Sequence, residues 1–114
     1  MSGAPKQIDA TPDVSVVTAI AGATFELAVT LPAGFASATH TPVAEILPYR
    51  GSVPAVTAMT CSWPQPSVAA AELTSAETLL LAGEHGFAVW LELTADRTDR
   101  VCVMRGRLKF EAPA

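Results

Sequence analysis

The sequence has little of what catalytic, metal-binding or membrane-spanning chains are built from. It has two histidines, His40 and His85, and two cysteines, Cys61 and Cys102. These four could be written down as a zinc site, but no CxxC or HxxxH spacing joins them. Two cysteines are too few for a disulfide framework, and each lies in an apolar strand pattern. They are expected as reduced, buried, small hydrophobic side chains. There is no GxSxG elbow and no glycine-rich phosphate loop. Aromatics are 6% of the chain, too few to line a sugar cleft. Carboxylate pairs such as Glu72 with Glu77, or Glu84 with Glu92, therefore have no cleft to serve. Asp96 and Asp99 make a weak calcium loop, and Arg97 and Arg100 beside them favour a salt-bridged turn. Seven basic residues stand against 11 acidic ones, for a net charge of -4. A nucleic-acid footprint needs an excess of the opposite sign. No apolar run approaches the ~20 residues that span a bilayer, and MSGAPKQIDATPD at the start lacks the apolar core of a signal peptide. The expectation is a chain made in a cytoplasm, with no catalysis, cofactor or metal, and no nucleic-acid or membrane partner.

What is present is strand. The 114 residues fit one domain, and 50% hydrophobic with 16% charged residues exclude a disordered chain. Phe25, Leu27, Val29 and Leu31 alternate with Thr24, Glu26, Ala28 and Thr30, the period of a half-buried strand. Other strands are expected at 14–20, 43–50, 55–62, 67–73, 87–94 and 100–110. Pro48 should mark an edge or the end of its strand, and Trp63-Pro64-Gln65-Pro66 a rigid break. Thr74-Ser75-Ala76-Glu77 has the form of a capping box. The short helical turn it starts should plug one end of a core with Leu79, Leu80 and Leu81. Phe87–Leu93 and Arg100–Phe110 form a hairpin around the polar loop 95–99, with Cys102, Met104, Leu108 and Phe110 turned inward. About seven antiparallel strands with regular turn signals predict an immunoglobulin-like all-β sandwich with one short helical turn near residues 75–81. Residues 1–12 are expected as an arm, 13–111 as the sandwich and 112–114 as a tail.

The residues singled out for binding are few. Trp90 lies on the polar side of its strand and Trp63 stands beside Pro64. Arg105 and Arg107 share a strand face with Lys109. A patch of this kind suits protein contact, with packing against a neighbouring loop as the plainer role for either Trp. Trp90, Arg105, Arg107 and Trp63, with the arm from Ser2 to Asp13, are the candidate contact residues.

Five short stretches in order resemble a known family. They are Gly22-Ala23-Thr24-Phe25-Glu26-Leu27; Ala44-Glu45-Ile46-Leu47; Leu73-Thr74-Ser75-Ala76-Glu77-Thr78 with Leu81, Ala82 and Gly83; Phe87-Ala88-Val89-Trp90-Leu91-Glu92-Leu93; and Arg105-Gly106-Arg107-Leu108. Together they are similar to the small immunoglobulin-like tail and baseplate domains of tailed bacteriophages and prophages, such as the N-terminal domain of baseplate upper proteins. The match runs over roughly residues 20 to 110 and departs from the family pattern at Ala23, Leu91 and residues 32–70. The resemblance implies a virion structural protein of the tail or baseplate, made in the host bacterium. Such a protein bridges or anchors tail fibres or other tail proteins, in multiple copies within a symmetric assembly. It transfers no functional residues, because its positions are folding positions. Two other readings stay open: a capsid decoration or head–tail joining protein, and a carbohydrate-binding or adhesin module.

Overall fold

The computed structural model describes residues 6–9, 14–51 and 53–112. The chain order is β1 (Lys6–Asp9), β2 (Val14–Ile20), β3 (Phe25–Thr30), β4 (His40–Leu47), β5 (Ala58–Gln65), β6 (Val68–Leu73), α1 (Ser75–Leu79), β7 (Gly83–Leu93) and β8 (Asp96–Glu111). The hydrogen-bonded order is β1-β3-β6-β5-β4-β7-β8-β2. One layer holds β1, β3, β6 and β5; the facing layer holds β4, β7, β8 and β2. This division of strands is the immunoglobulin one. The fold is all-β, as the strand periodicity predicts.

β5 ties the layers together. Its first residues, Ala58 and Met59, pair with Glu45 and Ala44 of β4, and Thr60 to Gln65 pair with β6. One long side of the sandwich is thereby closed by hydrogen bonds. β1 and β2 form the two free edges of the strand order, and both pair parallel, with β3 and β8 respectively. The expectation of purely antiparallel pairing fails at these edges, where the chain runs from one layer to the other instead of turning back. β1 also falls inside the expected arm: Lys6–Asp9 lies in register with Leu27–Thr30. The other residues of the 1–12 arm lie outside the described residues.

The core is the inner face of both layers. Phe25, Leu27 and Val29 from β3 meet Ile46, Phe87, Leu91, Met104, Leu108 and Phe110 from the facing layer, all almost fully buried. Phe25 and Phe110 meet edge to face, with ring centroids 5.6 Å apart. Each large side chain buried in this way contributes about 1.5–3 kcal/mol.

The corner before β7 forms as its sequence predicts, in part. Thr74 Oγ1 accepts from Glu77 N–H at 3.2 Å, and Glu77 Oε1 accepts from Thr74 N–H at 2.8 Å. Of the three leucines expected to plug the core, only Leu81 is buried; Leu79 and Leu80 are 60% and 64% exposed. The helix ends at Leu79, one turn in all, and a single turn can point only one side of itself inward. Its inward position is Thr78, and Leu81 turns inward just after its end. Gly83, at φ +106°, then turns the chain into β7 in a conformation that L side chains rarely adopt.

Two other boundaries move. Trp63 and Pro64 lie within β5 instead of breaking it, because the β5–β6 register shifts between Ser62 and Gln65 and removes any demand for a Pro64 N–H. β8 begins at Asp96, so the β7–β8 loop is only Thr94-Ala95, with Leu93 paired to Asp96. Asp96 Oδ1 also accepts from Thr98 N–H (3.1 Å) and Oγ1–H (2.6 Å) beside this tight loop. β4 runs from His40 to Leu47, starting before the expected Val43 and ending before Pro48, one of the two outcomes expected there.

Candidate protein-contact surface

Three strands build the outer face of the β4–β7–β8 layer, and their register decides which side chains meet. Leu47, Gly86 and Arg107 form one row; Glu45, Ala88 and Arg105 the next. Beyond them β8 carries an irregularity opposite Val89 and Trp90. Met104 pairs with Val89 and Cys102 with Trp90, so Val103 is an extra residue. The bulge reverses the phase of β8. Cys102, expected inward with Met104, therefore joins Val43 and Trp90 on the outer face, and it is only half-buried. Arg100 follows in the row of Thr41 and Glu92.

That reversal creates the main feature of the face. The Arg100 guanidinium lies 4.1 Å from the centroid of the Trp90 ring. It also reaches Glu92 at 3.7 Å and Glu45 at 3.8 Å. The Glu92 carboxylate is only 12% exposed and takes Arg97 on its other oxygen at 2.6 Å. Trp90 is thus a partly covered ring roofed by a cation whose charge is balanced by two carboxylates. Its indole N–H is buried and has no hydrogen-bond partner among the described residues. Cation–π contacts of this exposure are worth about 0.5–1 kcal/mol, so the roof is easily displaced by a partner.

A second feature adjoins it. Arg107 donates to Tyr49 Oη at 3.1 Å and lies 3.5 Å from Glu84. Leu47, Pro48, Tyr49, Gly86, Arg105 and Arg107 line a shallow, mainly apolar hollow. The Gly86 position keeps it shallow but open: a Cβ there would come 3.3 Å from Leu47 Cβ.

The structure therefore brings together Trp90, Arg105 and Arg107, and places Trp63 elsewhere. Trp63 is half-buried against the core edge, and its Nε1–H donates to His40 O at 3.2 Å. Arg100 and Tyr49 belong to this face without being among the expected contact residues. Alternation along β7 places Glu92 in phase with Trp90, but nothing in the sequence marks the bulge that delivers Arg100.

The remaining candidates are dispersed. His40 pairs with Leu93 at one end of β7, and its ring meets Phe35 edge-on at 5.0 Å. His85 lies near the other end, buried, with Nε2 3.0 Å from Leu81 O. Cys61 pairs with Ala71 in the opposite layer from Cys102, and burial pushes its thiol pKa up. Glu77 is occupied in the capping box. No group of three or more His, Cys, Asp or Glu residues is placed to hold a metal among the described residues. No helix among them is long and apolar enough to cross a membrane.

No protein-family model and no curated protein matches this chain.

Proposed function

We propose that this chain is a structural protein of a bacteriophage tail or baseplate. It works by protein–protein contact, bridging or anchoring tail fibres or other tail-tip proteins, in several copies and without catalysis. One observation carries the reading: stretches that resemble the phage family and lie far apart in the sequence are joined into one unit. Thr78 Oγ1 accepts from Gly22 N–H at 3.0 Å and donates to Ala23 O at 2.7 Å. The Gly22–Leu27 stretch is thus fastened to the Leu73–Thr78 corner, which feeds β7 and β8. The outer face of that unit supports a contact role, because a Trp, a Tyr and several Arg side chains are the types that dominate protein–protein hot spots.

The test begins with particles purified from lysed host cells. The chain should co-purify with tails, and antibody labelling in electron micrographs should mark the tail end. Labelling of capsids would move the reading to a decoration or joining protein. Absence from particles, together with polysaccharide binding lost on Trp90→Ala, would replace it with an adhesin module. With tails as bait, Trp90→Ala and Arg105→Glu should each weaken binding at least tenfold, about 1.4 kcal/mol or more.

A further inference from the structure

We propose that β2 is a self-pairing edge, through which two copies of the chain join antiparallel along Val16–Ile20 with Thr18 of each copy at the two-fold axis. The inference deepens the multi-copy reading above, and it rests on the backbone of β2 and the symmetry of its side chains.

The backbone comes first. Among the described residues β2 pairs with β8 on one side only. Ala21 N–H donates to Glu111 O at 2.8 Å, continuing that ladder. In extended backbone the N–H and C=O of one residue point to the same side, and successive residues alternate. Val17 and Ala19 therefore share the β8 side with Ala21. Val16, Thr18 and Ile20 turn their N–H and C=O groups to the open side. Among the described residues the only backbone bond drawn from that side is Ala23 N–H to Ile20 O, at 3.2 Å in the following turn.

Such an edge is normally guarded by charge, proline or a bulge. VSVVTAI has no charge and no proline. Its one guard is the register shift between Val14 and Val16, which confines any added strand to Val16–Ile20.

The side chains then select the occupant. Val16 and Ile20 are 38% and 45% exposed, on the same face as Thr18. They stand two residues either side of it. In an antiparallel pair centred on Thr18, each Val16 lies opposite Ile20 of the other copy. Both apolar residues are then covered by β-branched partners, and Thr18 faces Thr18, both favourable cross-strand pairs. A slip of two residues leaves one of them against threonine.

Charge does not oppose this register. Arg107 pairs with Val16 and Glu111 with Ile20, so each apolar row across the joint ends in Arg107 of one copy and Glu111 of the other. These opposite charges, like the two copies of Lys109 in the Thr18 row, stand three strand spacings apart, about 14 Å, beyond the screening length of physiological salt.

The joint is isologous and closes at two copies, because it uses the β2 edge of each copy. It also turns the outer faces that carry Trp90, Arg105 and Arg107 to the same side, so that a dimer presents two contact faces to one partner. Five residues of strand are a small contact compared with standard interfaces. Pairing is therefore weak in solution and strengthened where copies are held together.

Sedimentation velocity on the full chain from roughly 10 µM to 1 mM should show a monomer–dimer equilibrium that stops at two. Thr18→Pro removes one open-side N–H and no bond to β8, so the fold is kept and dimerisation should fall at least tenfold. Ile20→Lys, which keeps the backbone, should do the same. Amide exchange at Thr18 in the unmodified chain should slow as concentration rises, while Ala19 is unaffected. A chain that stays monomeric throughout, or a dimer that both variants and Thr18 exchange leave unchanged, overturns the pairing. So does growth beyond two, or capture of another protein's strand by a chain that does not self-pair. Particle association is scored separately: a monomer found on tails sinks the pairing alone, and a dimer absent from tails sinks the tail reading alone.

Discussion

Thr78 shows how one residue can carry a corner. It is fully buried, and its hydroxyl satisfies main-chain groups at Gly22 and Ala23, more than fifty positions away. Thr78→Val keeps the volume and strands both groups. A loss of about 1–3 kcal/mol is expected, read as a lower urea midpoint at unchanged slope. Cys61 supplies a pH-dependent test. Burial raises its thiol pKa, so the folded chain holds that proton more tightly than the unfolded one. The associated stability is present below the ordinary thiol value of about 8.5 and is lost as pH rises through the raised one. Thermal midpoints measured between pH 7 and pH 10.5 should fall more steeply in the unmodified chain than in Cys61→Ala. The burial of Cys61 is expected from its apolar strand pattern, but the role of Thr78 is not readable from the sequence. Thr78 looks like an ordinary helix residue until the turn at Gly22, with its positive φ, is seen to lie against it.

At the scale of the element, the one-turn helix separates pattern from placement. Its capping box was legible because four consecutive residues contain the whole device. Which leucine enters the core was not, because that depends on how the turn is set against β3 and β7. Leu81→Ala should cost about 2–5 kcal/mol, and Leu80→Ala should stay within about 0.5 kcal/mol; chemical denaturation of the two variants side by side decides it. β8 makes the same point. Alternation located the strand, but a single extra residue at Val103 moved Cys102 and Arg100 to the outer face. Apolar Val101 and Val103 on both sides of Cys102 left the two phases indistinguishable by composition.

The whole molecule is a sandwich closed on one side by β5 and flanked by parallel edge strands on the other. β1 covers the edge of β3, whose Leu27 and Val29 are core residues. A chain lacking residues 1–9 keeps its core and should still fold, as seen by near-ultraviolet circular dichroism. It should unfold at lower denaturant and aggregate faster, because β3 becomes an uncovered edge. If that truncation left stability and solubility unchanged, the β1–β3 pairing would be ornamental.

Periodicity and punctuation alone determined the all-β class, most strand positions, the capping box and the side of β7 on which Trp90 lies. These are local quantities, set by steric preference and by alternation within a few residues. Only the tertiary structure decided the rest. The β8 bulge, the layer change within β5, the strand inside the expected arm and the stacking of Arg100 on Trp90 each depend on register between distant segments. Register is set by the summed burial of both partners and not by either one. For that reason alternation could set Trp90, Arg105 and Arg107 on one outer face, with Glu92 in phase beside Trp90, while the places of Arg100 and Tyr49 on that face could not be read.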